Sequence, residues 1–352
     1  MTKEHDYSVT RRNFVQAALA SLALVSCSNA PPPVVDKLTR PTDAQKASRR
    51  KGLSTVGIFR GASYSDDLFE LLKDKAPMLE IPDCKNKVVV LKPNLIECPV
   101  DKPATTHPEV LKAVIRLIDY LGAKEIIVAE GPGHMRDTDY ILAATGIGPA
   151  CKEMGVPFVD LNLDDLVKVP VSNGFSRLEF FHLPATIVDA EVFVNVPKLK
   201  THHWVGVTVA MKNMFGLVPG REYGYPKNLL HIYGIPQCII DLNRTVKTDL
   251  IVVDGITAME GDGPVNGDAR EMGLIIVGND PAAIDATCAR IMGYRIEELD
   301  YIGIAGQVIG NVGADEIKIV GSAVQDVAVK FKRPITYRED AISQYGKTAG
   351  GG

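Results

Sequence analysis

The sequence predicts an α/β fold: a mixed or mostly parallel sheet with helices on both faces and an active cleft at the strand C-terminal ends. Three observations carry this. From Ser54 onward, short β-branched runs alternate with longer amphipathic stretches, the pattern of strands joined by covering helices. Two of the longer stretches begin with the proline signal of a first helical turn. Polar residues collect directly after several strand-like runs, where open α/β sheets bind ligands.

In chain order, the predicted strands are Thr55 to Phe59, Lys87 to Leu91, Glu125 to Ala129, Phe158 to Asp160, Glu191 to Val196, Leu250 to Asp254, Leu274 to Gly278 and Ile317 to Val320. Between the second and third, Thr106 and His107 precede Pro108, apolar residues recur at helical spacing, and Gly122 supplies a stop, so a helix is predicted from Pro108 to Leu121. Asp280 as cap with Pro281 behind it predicts a second helix ending at Gly293. No linker divides residues 50 to 335, and one compact domain with insertions is preferred to two lobes meeting at a cleft. The expected organisation is a leader at 1–26, a flexible tether at 27–50, an α/β domain at 51–335 and a tail at 336–352.

Composition bounds the function. The chain has 352 residues, 46% hydrophobic and 23% charged, which is ample for a globular core. A net charge of -4 with scattered basic residues gives no surface for tracking phosphates, so nucleic acid is set aside as a partner.

Four polar segments follow predicted strands. In the first, Lys92 and Asn94 leave a strand, and Thr105, Thr106 and His107 open the next helix. Free backbone N–H groups beside a lysine suit a carboxylate or phosphate, although an ordinary capped loop explains the same residues. In the second, Glu130 ends a strand, Gly131, Pro132 and Gly133 bend the backbone, and His134 and Arg136 follow. The glycines would admit a ligand close to the main chain. Neither a Walker loop nor a dinucleotide fingerprint is present, and a plain strand-to-helix turn is the slightly better account.

The third segment begins at Asp254 and carries Glu260, Asp262 and Asp268 among glycines, without the ligand spacing of a calcium loop. Its expected length exceeds that of a mere connector, which makes Glu260 a candidate acid or base and Asp262 a candidate metal ligand.

The fourth is NVPKLKTHHWVGVTVAMKNMFGLVPG, from Asn195 to Gly220. It reads as a strand, a basic turn holding Lys198, Lys200, His202 and His203, and a helix from about Val205 to Phe215 bearing Lys212 and Asn213. A lysine in so apolar a helix needs a partner or an opening. Buried, it would have a lowered pKa and serve as a base or covalent attachment point; otherwise it reaches the surface along its own stem.

The leader puts Arg11 and Arg12 before an apolar run from Ala17 to Val25 and ends in Leu24, Val25, Ser26 and Cys27. It resembles a twin-arginine export signal with a bacterial lipobox. The resemblance implies a twin-arginine translocase as partner during export, cleavage before Cys27, lipidation of that thiol and a lipid anchor on the outer face of a bacterial membrane. That route carries folded proteins and admits a preassembled cofactor. Cys84, Cys98, Cys151, Cys238 and Cys288 form no CxxC pair, so no iron-sulfur cluster is expected on this chain. An exported compartment permits a disulfide, but its partners do not follow from the sequence.

Taken in order, KPNLIE with THPEVLKAVI, AEGPG, VNVPKLKTH, VTVAMKNMFGLVPG, MEGDGP and NDPAAIDA resemble the bacterial and archaeal family labelled domain of unknown function 362, over roughly residues 53 to 322. The family name implies no activity. Many relatives carry a ferredoxin-like module, whose cysteines are lacking here. A more distant resemblance is to the catalytic part of nickel-dependent lactate racemase. That likeness implies Lys212 as attachment point of a nickel-pincer cofactor, with His202, His134 and His231 as ligands or flanking groups. The approach to the lysine, VTVAMK, departs from that enzyme's pattern.

Three functions therefore stay open at this stage. One is an exported, lipid-anchored enzyme, an oxidoreductase or isomerase acting on a small anionic molecule, hydroxy-acid-like or phosphorylated. It would use Lys212, His202, Lys92 and Glu260, with Asn94, His107, Gly131, Gly133, Lys198, Lys200 and Asn213 binding substrate. The others are a non-catalytic ligand- or cofactor-binding lipoprotein, and a redox partner.

Overall fold

The structure is a computed structural model that describes residues 38–98, 101–133 and 137–337. The twin-arginine pair, the lipobox with Cys27, and His134 lie outside the described residues. Among the described residues no helix is long and apolar enough to cross a membrane.

Twelve strands are formed among the described residues: β1 (Ser54–Arg60), β2 (Val88–Pro93), β3 (Glu125–Glu130), β4 (Phe158–Asp160), β5 (Leu166–Pro170), β6 (Phe180–Pro184), β7 (Val192–Val196), β8 (Lys198–His202), β9 (Gly206–Thr208), β10 (Leu250–Glu260), β11 (Asp268–Gly278) and β12 (Ile317–Gly321). The main sheet runs β12-β1-β11-β10-β7-β2-β3-β4, and β8 pairs with β10 and β9. Along that path only β11 runs against its neighbours, so the sheet is mixed and mostly parallel. β5 and β6 make a separate antiparallel pair that the sequence reading had not singled out.

Side chains that alternate along each strand enter two different cores. Val56, Ile58, Val90, Phe193, Ile251, Val253, Leu274 and Ile276 join one core with residues of helices Ile235–Thr245, Pro281–Ile291 and Asp300–Val308. Phe59, Val89, Leu91, Val192, Val194, Val252, Ile275 and Val277 join the other with residues of helices Leu68–Lys75, Pro108–Tyr120 and Ile147–Met154. A period of two with both faces apolar is what a sheet covered on both sides requires. The predicted helix caps hold: His107 Nδ1 accepts the N–H of Glu109 at 3.2 Å, and Asp280 Oδ1 accepts that of Ala282 at 2.9 Å.

Three expectations change. Residues 42–50 are not free tether, because Arg50 N–H donates to Ile309 O at 2.9 Å and Gln45 Nε2 to Asn173 O at 2.9 Å. The segment expected as a basic turn and a helix from Val205 is instead the β8–β9 hairpin, and helix begins only at Ala210. The glycine-rich acidic loop is short: β10 continues to Glu260 and β11 starts at Asp268, with a bulge between Gly255 and Thr257. Asp254, at that bulge, accepts the N–H of Ile256 at 3.3 Å and the hydroxyl of Tyr64 at 2.9 Å, while the Tyr64 oxygen accepts the N–H of Thr257 at 3.2 Å.

β2 connects through its helix to β3 on one side, while β7 lies on its other side. The strand order thus reverses at β2, and a crevice opens beyond the carboxyl ends of β2 and β7.

Candidate functional site

Lys92 is the penultimate residue of β2 and Glu130 the last of β3, neighbouring parallel strands, and the two side chains pair as an ion pair with 0% and 2% of their surface exposed. Lys92 Nζ also donates to Pro93 O at 3.2 Å, and Glu130 Oε1 accepts the N–H of Gly131 at 2.9 Å. Burial pushes the Lys92 pKa down and the Glu130 pKa up, and each opposite charge pulls the other back. Only glycine fits opposite them: a Cβ on Gly216 would stand 1.8 Å from Glu130 Oε1 and 2.6 Å from Lys92 Nζ.

Beside this pair runs an asparagine relay. Asn195 Nδ2 donates to Ala210 O at 2.9 Å, Asn213 Nδ2 to Asn195 Oδ1 at 2.7 Å, and Asn94 Nδ2 to Asn213 Oδ1 at 2.7 Å. The relay ends at Asn94 Oδ1, which is buried and lacks a hydrogen-bond partner among the described residues, as does Thr208 Oγ1. Both residues line a cavity of about 330 Å³. An unpaired buried acceptor costs free energy unless a ligand or water meets it.

Lys212 stands on the short helix Ala210–Asn213, whose first N–H groups are received by the Asp285 carboxylate. Its ammonium borders the cavity at 3.7 Å from the centroid of the Phe215 ring, with no carboxylate or hydrogen-bond partner among the described residues. Burial, and then the charge of Lys92, lower its pKa to about 7. Lys227 donates to Asn162 Oδ1 at 2.7 Å, and burial lowers its pKa to about 8.

Three imidazoles border the same space. His202 Nδ1 accepts the N–H of Trp204 at 3.1 Å, which assigns the proton of the neutral ring to Nε2. His231 Nδ1 bonds to Lys227 O at 3.1 Å and His203 Nδ1 to Gly263 O at 2.8 Å, so their Nε2 atoms are acceptors when the rings are neutral. Burial, and then the nearby Lys212, hold His202 well below the usual histidine range and bring His231 to about 4.

The cavity therefore gathers Lys92, Asn94, Gly131, Gly133, His202, Lys212, Asn213, His231 and Asp262 from the sequence-selected residues. Four others stand elsewhere. Lys198 is buried against Asp254 Oδ2 at 2.8 Å, and Lys200 is buried with Ala104 O at 2.5 Å, because β8 turns both inward rather than onto a rim. His107 stacks on Tyr64 at 3.7 Å and caps its helix. Glu260 accepts the N–H of Lys332 at 3.1 Å, and Lys332 Nζ and Arg270 approach it at 3.8 Å. Of the proposed metal ligands, His202, His231 and Asp262 share the cavity lining, yet among the described residues no three His, Cys, Asp or Glu side chains converge on a metal position.

Glu130, Thr208 and Lys227, which are not among the sequence-selected residues, also line the cavity. Glu130 carried a signal in AEGPG, an acid at a strand end before glycine. Thr208 and Lys227 carried none.

The chain is 31% identical over 220 residues to a thylakoid-associated protein of Synechocystis, covering 58% of this chain and 62% of that relative. In fold it is similar to the lactate racemase apoprotein of Thermoanaerobacterium thermosaccharolyticum, with a TM-score of 0.39, 12% identity, and coverage of 73% of this chain and 60% of that one. It is also similar to a protein of Thermotoga maritima, with a TM-score of 0.35, 14% identity, and coverage of 65% of this chain and 59% of that one. The chain thus spans less than two thirds of the length of each of these proteins. Residues 89–290 match the family described as domain of unknown function (DUF362), and the chain belongs to that family.

Proposed function

We propose that the cavity binds a small organic anion, hydroxy-acid-like or phosphorylated, and that Lys212 exchanges a proton with it. The observation that carries this reading is the Lys212 ammonium, which borders the cavity without a carboxylate of its own among the described residues. Lys92 is already matched by Glu130, so Lys212 and Lys227 supply the positive charge that attracts an anion. A pKa of about 7 leaves Lys212 divided between amine and ammonium near neutral pH, which suits a proton acceptor. Asn94 Oδ1 is an acceptor awaiting a donor, and a ligand hydroxyl meets that need. The His202 Nε2 proton gives the site a further neutral donor.

The test uses Trp204, the single tryptophan of the chain, which lines the cavity. Titration with lactate, malate, glycolate and phosphoglycerate, read by its fluorescence, should show saturable binding of at least one of them. Lys212→Met should weaken that binding by about tenfold or more. Equal binding of the same anion by parent and variant would remove Lys212 from the site.

We also propose that the protein works at a membrane surface, exported by the twin-arginine route and held by lipid on Cys27. The RR and LVSC signals of the leader and the thylakoid association of the Synechocystis relative support this. The intact mass of protein from its native host should correspond to a chain that begins at an acylated Cys27. An uncleaved, unmodified leader would sink the proposal, and an added mass on Lys212 would reassign that lysine from proton exchange to holding a cofactor.

A further inference from the structure

The cavity lining is mixed, with Glu97, Asp262 and Asn266 bordering it besides its buried polar groups. Lys92, Asn94, Asn213 and Thr208 are buried in its lining, while Leu95, Ile96, Phe215, Pro226, Pro264 and Val265 supply apolar wall. Trp204 borders the same space with 53% of its surface exposed, and its ring centroid is 4.4 and 4.8 Å from those of His203 and His231. The helix that carries His231, Asn228–Ile232, also leaves Leu229 and Ile232 exposed at 40% and 52%. Trp204 is the exposed apolar side chain that itself borders the cavity. Large side chains of this kind in water are costly unless something covers them.

Charge orders the same axis. Asp262 borders the cavity with one carboxylate oxygen receiving the N–H of Ile335 at 2.8 Å, an exposed bond, so negative charge stands toward the solvent side. Lys212 is the positive group without a carboxylate partner among the described residues. An anionic head is drawn to Lys212 and away from Asp262, and the body of its molecule then points along the apolar wall. Size agrees: about 330 Å³ corresponds to roughly eleven waters at about 30 Å³ each, far more than a carboxylate head displaces.

We infer that the ligand is an amphiphilic anion, with its charged head at Lys212 and a hydrocarbon or aryl body lying against Ile96, Phe215, Pro226, Val265 and Trp204. This rests on the anion reading above and deepens it by naming the substrate class.

The experiment is a homologous series on the full chain. Trp204 fluorescence is titrated with acetate, butanoate, hexanoate and octanoate at constant ionic strength below pH 7, with octanol as the neutral control. Each methylene that becomes fully buried should tighten binding by about fourfold, so octanoate should bind at least about a hundredfold tighter than acetate. Octanol should bind more weakly than octanoate. In Trp204→Ala, followed by calorimetry, the gain per methylene should shrink. Affinities that stay level from acetate to octanoate overturn the inference and leave the anion reading standing. Octanol binding as tightly as octanoate overturns the anion reading, and the inference falls with it; absence of binding by the whole series overturns the inference alone.

Discussion

The carboxylate of Asp285 accepts the backbone N–H of Ala210 at 2.8 Å and that of Met211 at 3.3 Å, and so holds the one-turn helix on which Lys212 stands. Asp285 comes from the helix Pro281–Ile291, which makes it a positioning residue at a distance of seventy-five positions in sequence from Ala210. Asp285→Ala leaves two buried N–H groups without acceptors and should cost about 2–4 kcal/mol in denaturant unfolding. A loss below about 0.5 kcal/mol would mean that the helix is held by its apolar contacts alone.

Asp285→Asn tests the charge separately. Burial raises the Asp285 pKa from 3.8 to about 8, so the folded state binds a proton that the unfolded state releases between those values. The parent's contribution from this group is complete below about pH 4 and fades as pH rises through about 8. The asparagine variant should therefore gain stability relative to the parent across that window. Chemical unfolding at several pH values measures the difference, and parallel pH profiles would remove Asp285 as the titrating group.

Gly216 meets the Lys92–Glu130 pair at a distance no methyl group can share, with 1.8 Å to Glu130 Oε1. Both contacts are ends of flexible side chains, but they are buried and bonded to each other, so moving either breaks the pair. Gly216→Ala should destabilise by about 1–3 kcal/mol and displace Glu130 from the N–H of Gly131. Thermal unfolding and ligand titration read both effects, and an unchanged melting temperature would show that the pair has room to shift.

Much of the sheet was legible because its strands are both buried and β-branched. Val88, Val89, Val90 and Leu91 can hardly be anything but a central strand. The cap at Asp280 with Pro281 was legible because one residue pair carries the whole signal. Val205 to Thr208 misled because a short apolar run has no decisive period, and the β-branched Val207 and Thr208 belonged to a hairpin. Lys198 and Lys200 are expected in an open turn since lysine is seldom buried; their partners Asp254 and Ala104 lie 56 and 96 positions away. The bulge after Gly255 hid the continuation of β10, which made a short loop look long. At the site, strand ends pointed to Lys92 and Asn94, whereas Lys227 enters through a separate turn whose position only the folded chain defines.

Lys92 and Glu130 form a buried pair, and such a pair resists loss of one partner far more than loss of both. Glu130→Gln keeps an acceptor for Gly131 but leaves Lys92 uncompensated, and should cost about 3–5 kcal/mol. The double change Lys92→Met with Glu130→Leu should cost distinctly less than the single one. If the two effects instead add, the pair is not coupled, and the ammonium of Lys92 is neutralised by other means.

Lys212 gives the sharpest pH dependence. Its pKa falls from 10.5 in the unfolded chain to about 7 when folded, chiefly through burial, so above about pH 7 the unfolded state holds a proton that the folded state does not. The penalty for a buried ammonium is complete below about pH 7, shrinks as pH rises, and is gone above 10.5. Lys212→Met should accordingly be more stable than the parent by about 1–3 kcal/mol below pH 7, discounted for the water that reaches the cavity, and the advantage should vanish toward alkaline pH. Binding of an anion runs the other way. A carboxylate beside Lys212 raises its pKa, so binding takes up a proton above about pH 7 and weakens as pH climbs past that value, whereas below it the affinity is level. Titrations of the parent between about pH 6 and 9 should show this bend, and an affinity independent of pH over that range would show that the anion's partner is not Lys212.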